Sequence, residues 1–378
     1  MDVPQFAMER YQSLFWHQVD YDLSESGVTA MSIRELLGPQ ASAESFLETA
    51  LGYPLSEGSP QTRANIAQWY PEAGPQHVTV VNGGSEANFL ALWTLLEPGD
   101  RLAFQVPNYL QGLGLGKAFG KRVDTFKLRL RDGRWALDLE GLERAVGPKT
   151  KAIMVCNPNN PTGAVLTEGE MEAVIEVAAS VGAWIVADEI YRGAEVGTDV
   201  TTPTFWGRYD RVVVTSGLSK AFAMPGLRIG WAVASEDFIQ RLWEHHDYTT
   251  LTPSRIGDIL AAFALQPDVR ENVFARTRGI IRANLPVLEE WIALHPYLTY
   301  VRPEAGAIAY AKYDLPIGST ELVERIRAEQ SVLLVPGDMF GLKKGLRFGF
   351  GFDIGHTMKG LARVDETLAA VAGDAPPA

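Results

Sequence analysis

Short apolar runs alternate with amphipathic stretches along the chain from residue 77 onward. The apolar runs are rich in Val, Ile and Ala and show little polar alternation, which is typical of strands buried on both faces. They are His77–Val81, Leu102–Val106, Ala152–Val155, Trp184–Ala187, Val212–Thr215 and Ile229–Val233. The stretches between them predict helices over Glu86–Leu96, Asp138–Val146 and Glu168–Val181. Strands and helices that alternate in this way predict an α/β fold with a mostly parallel sheet sandwiched by helices.

The pattern changes near Ser235, where longer helical stretches begin and run through Arg255–Leu265 and Val273–Leu294. A short α+β segment follows them. We therefore predict a large α/β domain over residues 41–254. Residues 1–40, as an N-terminal arm, and 255–378 are predicted to form a smaller α+β domain.

Composition and charge narrow the function classes. Of the 378 residues, 46% are hydrophobic and 21% are charged, as in ordinary globular proteins, and the net charge of −12 argues against binding to nucleic acid. The chain has no uninterrupted apolar run long enough to cross a membrane and no signal peptide at its start. Cys156 is the only cysteine, so a reducing compartment is the simplest location. We expect a soluble, cytoplasmic protein, and the spacing of its histidines does not favour a metal site.

The residues that follow the predicted strands are the candidates for chemistry, because ligands of parallel sheets bind at the carboxyl ends of the strands. Two glycines and a helix start follow the first strand, which makes a ready anion site. An Asn- and Pro-rich loop, a carboxylate followed by a phenol, and a lysine among small and apolar residues follow later strands. These segments are Asn82–Glu86, Asn157–Gly163, Asp188–Tyr191 and Ser216–Arg228.

Each of these segments has an ordinary structural explanation when it is taken alone, such as a helix cap, a turn or a surface lysine. All four fall where one crevice is expected, however. Together they supply an anion cradle, a carboxylate, a phenol, an amide and a lysine suited to imine formation. Pyridoxal 5'-phosphate (PLP) requires this combination, because it needs a phosphate seat, a partner for its ring nitrogen and a lysine.

The stretch Ser216–Gly230 resembles the lysine-attachment signature of the class I/II aminotransferases, which are fold type I PLP enzymes related to aspartate aminotransferase. Asn157–Gly163 and Asp188–Tyr191 match two further motifs of that family in the expected order, and the likeness extends from about Tyr53 to Phe350. The resemblance implies a mostly parallel seven-stranded sheet, PLP as the cofactor and a homodimer with shared active sites.

The resemblance also implies roles for individual residues. Lys220 is expected to bind PLP covalently and then to move the substrate's Cα proton. Asp188 is expected to pair with the pyridine nitrogen, while Tyr191 and Asn160 hydrogen-bond the ring oxygen. Asn160 is expected to contact the substrate as well.

The phosphate of PLP is expected to lie on Gly84, Ser85 and the N–H of Glu86, with Arg228 as its charge partner. Many relatives have a phosphate-binding serine where this chain has Gly217, so Ser216 or Ser219 is expected to compensate.

Four further residues receive roles by resemblance. Tyr109 is expected to stack on the cofactor ring. Tyr53 is expected to reach the phosphate in the partner subunit. Arg347 is expected to bind the substrate's α-carboxylate, and Gly27 to contact it through the backbone.

Asp247 bears on the choice of substrate, because dicarboxylate-specific relatives place an arginine from the partner subunit a few residues before a proline that opens a helix. In this chain, counting back six residues from Pro253 leads to Asp247. A carboxylate there would repel an acidic substrate and attract a cationic one, or it is a surface charge beside a helix. The segments around Asp247-Tyr248 and Ser26-Gly27-Val28 resemble capreomycidine synthases, which act on a hydroxylated arginine by elimination and ring closure.

Three functions therefore stay open. An aminotransferase for a basic or non-acidic amino acid leads. A lyase that catalyses β/γ-elimination or cyclisation of an arginine-like substrate is the alternative. An aminotransferase-like sensor domain of a transcription regulator is disfavoured, because the segment before Tyr53 is too short and not basic enough for a DNA-binding domain.

Overall fold

The computed structural model describes residues 3–38, 46–120 and 122–373. The helices over these residues are α1 (Ala7–Phe15), α2 (Ile33–Leu37), α3 (Pro60–Ala67), α4 (Gly84–Leu95), α5 (Gln111–Phe119), α6 (Leu139–Ala145), α7 (Glu168–Val181), α8 (Glu236–His246), α9 (Arg255–Ala264), α10 (Pro267–Ala293), α11 (Ser319–Gln330) and α12 (Ile354–Ala372). The strands are β1 (Tyr21–Asp22), β2 (Val78–Val81), β3 (Arg101–Val106), β4 (Arg122–Arg131), β5 (Arg134–Leu137), β6 (Thr150–Cys156), β7 (Trp184–Asp188), β8 (Val212–Gly217), β9 (Gly230–Val233), β10 (Leu298–Tyr300), β11 (Ile308–Tyr313), β12 (Val332–Leu333), β13 (Val335–Pro336) and β14 (Gly345–Gly349).

The large sheet has eight strands in the order β2-β9-β8-β7-β6-β3-β4-β5. Strand β9 runs antiparallel to both of its neighbours, while β8, β7, β6, β3 and β4 pair in parallel. The first seven strands of this order form the predicted mostly parallel sheet, which confirms the α/β fold class. Strand β5 adds an eighth strand at the edge, as the second half of a hairpin with β4.

Both faces of this sheet are covered, which explains the apolar runs in the sequence. Neighbouring residues of one strand enter two separate hydrophobic clusters on opposite faces. Val80, Ile153 and Ile185 belong to one cluster, and the residues that follow them, Val81, Met154 and Val186, belong to the other. Because each strand is buried on both sides, polar alternation is absent there.

Helix α7 spans Glu168–Val181, as predicted, because both of its ends are specified locally. Thr167 and Glu170 form a capping box at its start. Gly182 ends it in the left-handed conformation with φ 66°. Helix α4 begins at Gly84, two residues before the predicted start, so its first turn follows strand β2 almost directly in sequence.

A four-stranded sheet in the order β10-β11-β14-β13 lies in the C-terminal third of the chain with helices α11 and α12. The segment after α1 runs beside it, since the Gly349 N–H donates to the Leu23 carbonyl at 2.7 Å. This contact agrees with grouping the N-terminal arm with residues 255–378, although that domain division stays a prediction. Its boundary at residues 40/41 lies outside the described residues. Within the described ranges, the structure contains no helix that is both long and apolar enough to span a membrane.

Candidate active site

Lys220 follows strand β8, and its side chain reaches toward the N-terminal segment. Its Nζ donates a hydrogen bond to Glu25 Oε1 at 2.7 Å, and the two groups form an ion pair. The same oxygen accepts the backbone N–H groups of Ser26 and Gly27, both at 2.8 Å. Burial opposes ionisation of Glu25, but the Lys220 ammonium and the Gly27 N–H outweigh it and lower the pKa of Glu25 to about 2. Glu25 is therefore a fixed carboxylate at the predicted reactive amine.

The N-terminal segment approaches this closely because strand β14 ends in glycines. A Cβ on Gly349 would lie 1.9 Å from the Glu25 carbonyl oxygen, and a Cβ on Gly351 would lie 2.1 Å from the Gly27 carbonyl oxygen. Any side chain at either position would push the segment away from Lys220. The two glycines thus set the position of Glu25 and of Gly27, the predicted backbone contact.

Asp188 ends strand β7 and is buried. Its carboxylate accepts Asn88 Nδ2 at 2.8 Å and the Ile190 N–H at 3.1 Å. Asn88 in turn accepts the Thr215 hydroxyl at 2.6 Å, which fixes the orientation of its amide. Burial raises the pKa of Asp188 above its ordinary value, and these two hydrogen bonds only partly oppose that. A cationic ring nitrogen is the kind of partner that such a carboxyl lacks.

The start of helix α4 meets the loop before β9 and forms an anion cradle. The N–H groups of Gly84 and Ser85 belong to the first turn, where a helix offers them no internal acceptor. Gly83 has φ 94°, and a Cβ there would lie 2.4 Å from an Arg228 guanidinium nitrogen. Arg228 therefore lies beside two free N–H groups at the positive end of a helix, as a phosphate seat requires.

Glu86 has a different position from the one its predicted role implies. Its backbone N–H donates to the Gly83 carbonyl at 3.1 Å. Its side chain accepts the Asn82 N–H at 2.6 Å and the Thr250 hydroxyl at 2.8 Å. Burial opposes ionisation, but hydrogen bonds from His246, the threonines and Asn82 lower the pKa of Glu86 to about 2. The Glu86 side chain thus stabilises the anion cradle without forming part of the phosphate seat.

The two serines proposed to compensate for Gly217 differ in what they contact. The Ser216 hydroxyl is buried and donates to the Glu189 carbonyl at 3.3 Å. Ser219 is half-buried, and no hydrogen bond within the described residues uses its hydroxyl. Ser219 is therefore the freer of the two to bind phosphate.

Asn160 and Arg347 come together, as their predicted roles require. Arg347 lies on β14 and is 1% exposed, and one of its terminal nitrogens donates to Asn160 Oδ1 at 3.0 Å. Its other terminal nitrogen donates to the Ser24 carbonyl, and its Nε is buried without a partner in the described chain. Tyr191, also buried, donates its hydroxyl to Ser26 at 2.9 Å.

Helix α1 covers this region and adds a second carboxylate. The Tyr109 hydroxyl donates to Glu9 at 2.9 Å, and the ring of Phe6 packs edge-on against Tyr109 with centroids 4.8 Å apart. Burial and the nearby Glu9 carboxylate raise the pKa of Tyr109. Met8 lies against Arg347, so the helix closes over the predicted α-carboxylate site.

Two predicted site residues, Tyr53 and Asp247, are exposed in this single chain, and Tyr53 lines a cavity together with Asn82 and Thr250. Tyr53 is 87% exposed beside Leu51, which is 80% exposed. Asp247 follows the last turn of α8 and is exposed, next to Tyr248, which is 81% exposed.

Sequence reasoning missed Glu9, Glu25 and Asn88. Asn88 had a usable signal, since it lies one helical turn after Gly84 on the helix that begins at the anion cradle. Glu9 and Glu25 had none, because their partners lie 100 and 195 residues away in sequence.

The donor set fits PLP. It offers a lysine amine, a buried carboxyl that no cationic group among the described residues pairs with, and a phosphate seat formed by the first N–H groups of α4 and an arginine, at the ends of neighbouring strands. Those are the groups that hold this cofactor's aldehyde, ring nitrogen and phosphate.

Comparisons with known proteins agree with this chemistry. The model of the family described as aminotransferase class I and II matches residues 36–364. Capreomycidine synthase from Streptomyces vinaceus is 29% identical, over 97% of this chain and 94% of its own length. An aspartate aminotransferase from Thermotoga maritima is 28% identical, over 84% of this chain and 81% of its own length.

Two solved structures share the whole fold. A PLP-dependent aminotransferase from Streptococcus suis superposes with a TM-score of 0.91 and 30% identity, over 98% of this chain and 99% of that one. The PLP-dependent cyclase OrfR gives 0.87 and 28%, over 98% of both chains. The family match covers most of the chain, and its fold and cofactor chemistry agree with the site. The protein is a PLP-dependent enzyme of aminotransferase class I and II.

Proposed function

We propose that the protein acts on an α-amino acid with a basic or other non-acidic side chain, and that it does so by transamination. PLP, when bound, stabilises the negative charge that develops on the substrate's Cα. Lys220 would hold the cofactor covalently, with Asp188 at its ring nitrogen and Gly84, Ser85, Ser219 and Arg228 at its phosphate.

The charge around Arg347 carries this proposal. Glu9, Asp22 and Glu25 all lie close enough to Arg347 to interact with it electrostatically. We infer that these acidic groups would also act electrostatically on the rest of a substrate whose α-carboxylate occupied Arg347. A second carboxylate, as in aspartate, would be repelled, while an ammonium or guanidinium group would be attracted.

A cyclase or lyase acting on an arginine-like substrate is the second candidate. The likeness to capreomycidine synthase over 97% of this chain and to the cyclase OrfR over 98% favours it.

We also propose that two copies of the chain share their active sites. The exposed side chains of Leu51, Tyr53 and Tyr248 support this, because aromatic and aliphatic groups this open to water are typical of contact surfaces. Tyr53 and Asp247 would then act in the partner's site.

The cytoplasmic location stays a prediction.

The test adds single amino acids to the PLP-loaded protein and follows its visible absorbance. Arginine, lysine and ornithine should change the spectrum at lower concentration than aspartate and glutamate do, and norleucine serves as the uncharged control. Better reaction with aspartate than with arginine would refute the basic preference. Pyridoxamine phosphate formed in proportion to the protein would indicate transamination, whereas ammonia or a ring product without it would indicate the second candidate.

A further inference from the structure

The ion pair between Lys220 and Glu25 has no counterpart among the roles that the family resemblance supplies. We propose that Glu25 is a positioning residue for Lys220: its carboxylate holds the Nζ amine in place and stabilises the ammonium form whenever that amine is free. The inference rests on the proposed function in one respect, because it takes Lys220 as the residue that binds PLP.

Glu25 is held in place independently of Lys220. Its Oε1 accepts two consecutive backbone N–H groups, from Ser26 and Gly27, each at 2.8 Å. The backbone around it is fixed in turn by the hydrogen bond from the Gly349 N–H to the Leu23 carbonyl, at 2.7 Å. The lysine therefore meets a preorganised acceptor and need not draw a mobile side chain toward itself.

The location of the pair argues for a role in chemistry more than in folding. The side chains of Lys220 and Glu25 are 22% and 26% exposed, so the pair borders the open site and lies outside the hydrophobic core. Glu25 Oε2 accepts no hydrogen bond within residues 3–38, 46–120 and 122–373, which leaves one oxygen free for a substrate group.

The pair has a defined task in proton transfer. Whenever its Nζ is free and unprotonated, Lys220 would take the proton from the substrate's Cα. An N–H bond forms, the C–H bond breaks, and the electron pair stays with the substrate carbon. Nζ is then an ammonium group, and the Glu25 carboxylate stabilises it until Nζ passes the proton on.

The test measures Lys220 in the cofactor-free protein. Each variant is treated near neutral pH with an amine-directed acylating reagent, and labelling of the peptide that contains Lys220 is followed by mass spectrometry. Glu25→Gln should speed labelling by about tenfold, because only the unprotonated amine reacts. Glu9→Gln makes the same charge change in the same region without touching Lys220, and it should leave the rate unchanged.

The conservative variant Glu25→Asp keeps the charge but withdraws it by one methylene, so its rate should fall between those of wild type and Glu25→Gln. If circular dichroism shows that Glu25→Gln does not fold, the labelling rate of Glu25→Asp alone tests the proposal. Equal rates in wild type and the Glu25 variant, or equal acceleration by Glu9→Gln, would overturn the proposal. No substrate is present in this assay, so its failure is distinct from a failure of the proposed substrate preference.

Discussion

Gly230 offers a direct test of where the cofactor phosphate lies. It opens strand β9 against the anion cradle, and a Cβ built on it would lie 2.3 Å from the Gly83 carbonyl carbon and 2.4 Å from the Gly84 nitrogen. These are backbone atoms of the first turn of α4, so they cannot rotate away as a flexible side chain would. Gly230→Ala must therefore displace the N–H groups that would hold the phosphate.

The size of the effect follows from two contributions. Forcing one methyl group into a packed site costs about 1–3 kcal/mol of folding free energy, which should lower Tm by a few degrees. Misplacing one N–H that donates to a charged acceptor costs about 1.5–3 kcal/mol of binding free energy. The Kd for PLP should therefore rise by about ten- to a hundredfold.

The assay titrates cofactor-free protein with PLP and follows visible absorbance, with Tm measured in parallel. Gly226→Ala is the matched control, since Gly226 lies four residues earlier, in the short 3₁₀ helix Pro225–Leu227, and a Cβ there meets nothing within 4 Å. It should bind PLP as wild type does. If Gly230→Ala binds PLP as tightly as Gly226→Ala, the phosphate does not lie at the start of α4 and the assigned seat is wrong.

Three other predictions concern Asp188 at the cofactor ring, Glu86 beside the anion cradle, and the sharing of active sites between subunits. Asp188→Asn should keep PLP bound but slow single-turnover reaction by about a hundredfold or more, because the charge opposite the ring nitrogen is lost; an unchanged rate would contradict that pairing. The pKa of Glu86 is about 2 in the folded protein, so its carboxylate stabilises the fold at pH values above the ordinary pKa of a glutamate. This stabilisation is lost as the pH falls from about 4.5 toward 2. Over that range, the Tm of Glu86→Gln should therefore fall less than the Tm of wild type. Lys220→Ala should bind PLP without turnover. If subunits of Lys220→Ala and Tyr53→Ala are mixed at random, half of the dimers should contain one subunit of each variant, and each such dimer should have one intact site out of two. The mixture should therefore recover about a quarter of wild-type activity. Recovery of none would contradict shared sites.

Much of the large sheet could be predicted from sequence because its strands are buried on both faces. Ile185 and Val186 point into different hydrophobic clusters, so an unbroken apolar run was the signal. The edge hairpin β4–β5 was missed for the opposite reason. Strand β4, Arg122–Arg131, carries charged side chains at alternate positions over much of its length and is mostly exposed, so it lacks that signal.

The site residues also differ in whether a local sequence pattern marks them. Asp188, Lys220 and Gly84 could be located because each follows a strand of one parallel sheet, and topology brings the carboxyl ends of such strands together. Glu25 could not be located in this way. It reaches Lys220 only because the N-terminal segment lies against the end of β14, where Gly349 and Gly351 leave room for it, and no local pattern encodes that register.

The proposed substrate preference has a second basis in the structure. From the sequence, the preference for a basic substrate rested on Asp247, which is exposed at the end of α8. In the structure, Glu9, Asp22 and Glu25 of the same chain interact electrostatically with Arg347. All three lie in the N-terminal arm, outside the motifs that identify the family. The family motifs therefore account for the cofactor chemistry, and we propose that charges in the arm select the substrate.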